Sequence, residues 1–199
     1  MRRTFLFLCA ILAASAAFSG TGTEVKDIVD HPFSTDFASG GRLRLKVQSG
    51  EIRIVGTDEN RVSVEVSGRN AYKARDMKVR VTEKDGAMGV RISGGPHNEI
   101  AITIRIPRVT DLYARVPFGD LEIENVEGNK DVAIHAGDLT IDVGDSANYA
   151  HVDASVATGD LDGRPFGEEH GGLFRSFHKQ GNGKYRLYAH VGAGDLTLR

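Results

Sequence analysis

Four aspartates recur in one setting. Asp120, Asp138, Asp160 and Asp195 each stand between a glycine and a leucine, in Gly119-Asp120-Leu121, Gly137-Asp138-Leu139, Gly159-Asp160-Leu161 and Gly194-Asp195-Leu196. A row of carboxylates offers the oxygen donors that suit calcium. Calcium-binding β-rolls, however, use a Gly-Gly-x-Gly-x-Asp nonapeptide, which this sequence lacks. Aspartate beside glycine is also ordinary turn chemistry, because the carboxylate accepts from nearby backbone N–H groups while glycine permits a sharp bend. These eight glycines and aspartates are therefore read as structural corners, and no metal or cofactor is expected.

The other reactive side chains form no catalytic pattern. The seven histidines (His31, His97, His135, His151, His170, His178 and His190) contain no His-Glu-x-x-His zinc motif. His135 and His151 alternate with apolar positions and should point outward. There is no Gly-x-Ser-x-Gly nucleophile elbow and no phosphate-cradling Gly-x-x-x-x-Gly-Lys loop. The one cysteine, Cys9, lies in an apolar N-terminal run, which leaves the rest of the chain without a thiol nucleophile or a disulfide. Carboxylates converging on a β-helix face, as in some polysaccharide-cleaving enzymes, are the remaining route to catalysis. No motif supports it, and the chain is read as a non-enzyme.

Residues 162–184 are the least strand-like stretch. They hold Arg164, Phe166, His170, Arg175 and His178, which are the candidate binding residues if this is a loop mounted on a rigid scaffold. The alternative is an end cap, in which Leu173 to Phe177 pairs as a strand and buries its aromatics.

Strands must position all of these groups. Leu43, Leu45 and Val47 alternate with Arg42, Arg44 and Lys46. Val62, Val64 and Val66 repeat the pattern, as do Val79 with Val81 and Val90 with Ile92, and Ile100 to Ile106 is the longest run. Period two is the signature of a pleated strand with one buried face. A short stretch, Asn70 to Met77, fits a loop or a single turn. After Pro107, alternating strands flank each Gly-Asp-Leu, with successive copies 18, 22 and 35 residues apart and a degenerate copy at Ser49-Gly50-Glu51-Ile52. Recurrence in one register favours stacked coils, although a meander of hairpins fits the same spacings. The expected fold is all-β: a β-solenoid-like C-terminal half with Gly-Asp corners, continuous with an antiparallel N-terminal portion.

The start of the chain reads as a signal peptide over 1–19. Arg2 and Arg3 precede the apolar run Phe5 to Ala14, with cleavage after Ala16 or Ser19. Residues 20–36 then form an extended lead-in, and 37–199 a single β domain. The formal net charge is −2 with no basic block, so nucleic acid is not an expected partner. No membrane-spanning segment is expected beyond the signal, which makes a periplasmic or secreted product the default.

The order of these motifs resembles the bacterial putative-adhesin domain family, whose members are exported or membrane-tethered and of unknown function. The resemblance rests on Gly41-Arg42-Leu43-Arg44-Leu45 running into Ser49-Gly50-Glu51-Ile52-Arg53-Ile54, on Ile102-Thr103-Ile104-Arg105-Ile106-Pro107, and on the closing Gly192-Ala193-Gly194-Asp195-Leu196-Thr197-Leu198. It spans residues 37 to 199 and implies a β-solenoid-like fold with an adhesive or envelope role, without catalytic residues. The expected partners are an envelope protein or a surface glycan. A self-associating, homo-oligomeric scaffold pairing through exposed strand edges is the alternative.

Overall fold

The computed structural model describes residues 23–199 apart from 27, 29–31, 69–70, 96–99 and 171–172, together with every side chain in that set except those of Lys73, Glu169 and His170. The expected signal segment 1–19, Cys9, His31 and His97 lie outside the described residues.

The described residues form strands joined by turns. The first nine strands are β1 (Thr23–Lys26), β2 (Phe33–Asp36), β3 (Arg42–Val47), β4 (Glu51–Thr57), β5 (Arg61–Ser67), β6 (Lys78–Lys84), β7 (Ala87–Ser93), β8 (Ala101–Pro107) and β9 (Asp111–Phe118). The rest are β10 (Leu121–Glu124), β11 (Lys130–Ala136), β12 (Leu139–Ile141), β13 (Tyr149–Thr158), β14 (Leu161–Gly163), β15 (Glu168–His170), β16 (Leu173–Gln180), β17 (Tyr185–Ala193) and β18 (Leu196–Leu198). The stretch expected to be a loop or single turn contains a short 3-10 helix over Ala71–Asp76.

Two open sheets result. One runs β1-β6-β7-β3-β9-β11-β17-β13-β16 and the other β15-β14-β18-β12-β10-β4-β8-β5-β2. Their alternating apolar residues meet in one core, which joins Leu45, Ala114, Ile134, Val191 and Val156 of the first sheet to Ile54, Ile104, Ile123, Ile141 and Leu198 of the second. Fully burying each such branched side chain contributes about 1.5–3 kcal/mol, which is what selects this register over a one-residue slip.

The inner strands are parallel: β7, β3, β9, β11, β17 and β13 in the first sheet, and β8, β4, β10, β12, β18 and β14 in the second. Each unit is a strand of the first sheet, a corner, and a strand of the second. Units entering each sheet in the same direction must pair in parallel. Antiparallel pairing is confined to the flanks, where β1, β6, β5 and β2 close one end and β16 and β15 the other.

Two expectations are corrected here. The N-terminal portion is mixed rather than antiparallel, since β3 pairs in parallel with β7 and β4 with β8. The C-terminal units also do not stack in sequence order as successive coils of a solenoid would. The last unit, β17–β18, lies between β11–β12 and β13–β14. The reason is local: after β14 the chain turns back, and β15 and β16 occupy the outer edges of β14 and β13. The final unit is left with the inner edges of the same two strands. Residues 162–184 thus supply edge strands as well as turns.

Candidate functional site

The corners form a ladder. The carboxylate Oδ1 of Asp120 accepts from the backbone N–H of Asp138 at 3.0 Å, Asp138 from Asp195 at 2.9 Å, and Asp195 from Asp160 at 2.9 Å. The glycines beside them stack in the same order. Gly137 has φ +130°, and a Cβ there would overlap the Gly119 carbonyl oxygen. Gly50 completes the row beneath Gly119, and Ile52 pairs with Leu121, so the degenerate copy is a true corner. Each of these three carboxylates is occupied by a backbone donor of the next rung.

The five candidate binding residues of the 162–184 stretch are not gathered together. Phe166 is buried, edge-on to Tyr149 at 5.8 Å and 6.1 Å from Phe177, and so plugs the end of the core. Arg164 is tied to Asp162 at 2.6 Å, and its hydrogen bond lowers the Asp162 pKa. Arg175 is an exposed residue of the edge strand β16. His170 lies on β15 opposite Leu161, with its side chain outside the described set. Of the five, His178 joins a larger constellation on the outer face of the first sheet.

That face carries a transverse row. Arg44 pairs with Tyr113, Tyr113 with Asp131, Asp131 with Tyr188, Tyr188 with Asp153, and Asp153 with His178. At about 4.8 Å between neighbouring strands, the two tyrosines stand about 10 Å apart with Asp131 between them. The Arg115 guanidinium lies 3.7 Å from the Tyr113 ring centroid and bonds the Asp131 carboxylate at 2.7 Å, which fixes both. A shallow depression of about 570 Å³ opens here, lined among others by Arg42, Arg44, Tyr113, Asp131, Lys184, Arg186 and Tyr188. Cations outnumber acids around it. The outer face of the second sheet differs, because there Arg53 and Arg199 are paired with Glu124 and Glu122 at 2.6 Å. A second cavity, of about 640 Å³, shares Arg42 with this depression, is walled by the β6–β7 turn and residues such as Phe37 and Met88, and is lined by none of the histidines.

Beyond Tyr188 the row ends in histidine and carboxylate. His151, Asp153 and His178 each bring a donor atom within 4.8 Å of the others, the group among the described residues that could hold a metal ion. Inside the core, Lys130 is buried and donates to the Tyr149 hydroxyl at 2.8 Å. Burial pushes the lysine down to about 8 against the opposing pull of Asp142 and Glu127, and burial pushes the tyrosine up. This pair braces the core.

Tyr113, Asp131, Tyr188 and Asp153 are not among the residues singled out from sequence. A signal for them exists: each stands seven positions before its corner aspartate, at Asp120, Asp138, Asp195 and Asp160 respectively. Corners in one register place such residues side by side.

No family model matches this sequence, and no curated protein matches it. Solved structures similar to it include a putative cell adhesion protein from Clostridium sporogenes, 14% identical over 84% of this chain and 99% of that one, with a TM-score of 0.49. A putative adhesin from Bacteroides fragilis is 8% identical over 89% and 97%, with a TM-score of 0.30. Another from Parabacteroides merdae is 8% identical over 56% and 57%, with a TM-score of 0.27. The names of all three refer to adhesion. Among the described residues, no helix is long and apolar enough to cross a membrane.

Proposed function

We propose that this chain is an exported, non-enzymatic binding module of the bacterial envelope, whose outer first-sheet face docks a surface glycan. The row Arg44–Tyr113–Asp131–Tyr188 carries this reading. Two aromatic rings on parallel strands, Tyr188 exposed and Tyr113 half-buried beneath the Arg115 guanidinium, offer apolar surface for sugar rings, while Asp131 and the surrounding arginines offer acceptors and donors for hydroxyls and acidic groups. The backbone ladder holds the row rigid, so little ordering entropy opposes binding. The excess of arginine and lysine at the depression favours acidic sugars over neutral ones. The stacked strand–corner–strand units support describing the scaffold as a short solenoid-like stack in which two units, β7–β8 and β17–β18, lie out of sequence order.

The test is a glycan array with the purified protein, followed by titration of any hit. Tyr113→Ala and Tyr188→Ala should each weaken binding about tenfold, roughly 1.4 kcal/mol, without lowering the melting temperature. Undiminished binding by the double variant removes the site, and turnover of a polysaccharide removes the non-enzymatic reading. Self-association is a second reading with its own observation: the edge strand β16 carries Leu173 and Phe174, 60% and 82% exposed. Light scattering over a concentration series distinguishes it.

A further inference from the structure

We infer that His151, Asp153 and His178 form a binding site for a divalent transition-metal ion, with zinc as the reference ion. The inference goes beyond the glycan reading and stands without it. Asp153 and His178 are directly opposite across the antiparallel pair β13–β16, and His151 is two residues before Asp153 on the same face. His178 Nδ1 lies 4.0 Å from Asp153 Oδ2, and the two imidazole rings are 4.4 Å apart. Two donors about 2.1 Å from a tetrahedral ion are about 3.4 Å apart. Small rotamer changes on half-exposed side chains close that difference.

The surroundings orient the ligands. The amide of Gln180, opposite His151, lies 2.9 Å from His178 Nε2 and 3.5 Å from His151 Nδ1. With its amide turned, Gln180 would accept from the Nε2–H of His178 and leave Nδ1 free for the ion, the outer-shell role that fixes a histidine tautomer. Tyr188 packs against the His151 ring at 5.2 Å. Two imidazoles and one carboxylate suit zinc, nickel or copper, whereas calcium and magnesium favour all-oxygen shells. Three protein donors leave a coordination position open to water or to an oxygen of a bound partner. Two other histidines of the same face serve as internal controls: His190 contacts Ser155 Oγ at 2.9 Å, and His135 stands edge-on to Phe118.

The experiment is calorimetric titration of tag-free, chelator-treated protein with zinc chloride, and separately with calcium chloride. One zinc per chain should bind with no matching calcium heat. H151A, D153N and H178A should each weaken zinc at least about tenfold, while H135A and H190A leave it unchanged. H178Q repeats the H178A test with a side chain that preserves polarity, and thermal melts of the metal-free variants establish folding. The inference fails if zinc binds no tighter than about 100 μM, if calcium binds as well, or if the H151A/H178A double variant keeps the wild-type affinity.

Discussion

The carboxylate of Asp120 accepts the backbone N–H of Asp138, 18 residues on in the chain and one rung away in space, at 3.0 Å. The same bond links Asp138 to Asp195 and Asp195 to Asp160. Each corner aspartate thus reads the position of the next unit, which turns a local turn residue into a long-range register pin. Asp138→Ala removes the acceptor for the Asp195 N–H and should cost about 1 kcal/mol, with Asp138→Asn costing less because its amide oxygen still accepts. Urea unfolding measures both. Equal losses for the two variants would mean that the bond itself does not matter.

The glycines of the ladder are held more tightly than the aspartates. Gly137 combines a φ of +130° with a neighbouring carbonyl in the space a Cβ needs. Gly137→Ala therefore meets backbone strain and backbone overlap together and should cost at least about 3 kcal/mol. Gly144, at φ +63° with nothing within 4 Å of its would-be Cβ, is the control. Gly144→Ala carries the conformational penalty alone and should cost about 1 kcal/mol. Thermal unfolding that ranks the two equally would contradict the stacking of the corners.

Lys130 makes stability depend on alkaline pH in a defined direction. Its ammonium falls to about 8 in the folded chain from an ordinary 10.5. Below pH 8 both states are protonated and the penalty of burying the charge is constant. Between about 8 and 10 the folded lysine is neutral while the unfolded one still holds its proton, so stability rises, by as much as about 3 kcal/mol. Above 10 Tyr149 acts in the opposite sense. Its hydroxyl is pushed up by burial, the folded tyrosine stays protonated, and the unfolded one releases its proton. Lys130→Met should abolish the rise between pH 8 and 10 in denaturant titrations. A wild-type profile that tracks the variant across that window would show that the lysine is not desolvated.

These groups differ in how far the sequence announced them. Alternation identified the strands and which side of each faces the core, because period two is written locally in runs such as Leu43-Arg44-Leu45. The corners were equally plain, since glycine and aspartate recur with the same following leucine, and Leu121, Leu139, Leu196 and Leu161 do align across neighbouring strands. The order of stacking was not legible. Four units with the same corner chemistry and the same register are interchangeable as far as local pattern goes, and non-local edge pairing decides which lies beside which. The metal cluster stayed hidden for the same reason. His151 and His178 meet only because the chain reverses after β14, and no spacing rule along the chain encodes that reversal.

The reversal also makes residues 164–182 indispensable. A binding loop on a finished scaffold could be removed without harm, but here the segment supplies β15 and β16 and packs Phe166 against Tyr149 and Phe177 against Phe166. Its deletion would bare the outer edges of β13 and β14 together with the end of the core, so the truncated chain should be insoluble or aggregate. The point variants separate capping from binding. Phe177→Ala, at a site 7% exposed, opens a cavity at the core end and should cost about 3 kcal/mol. Phe174→Ser, three residues earlier at 82% exposed, should change stability by no more than about 0.5 kcal/mol. Thermal melts of the two variants decide the matter, because a soluble, fully stable deletion or a silent Phe177→Ala would return this segment to the status of a free loop.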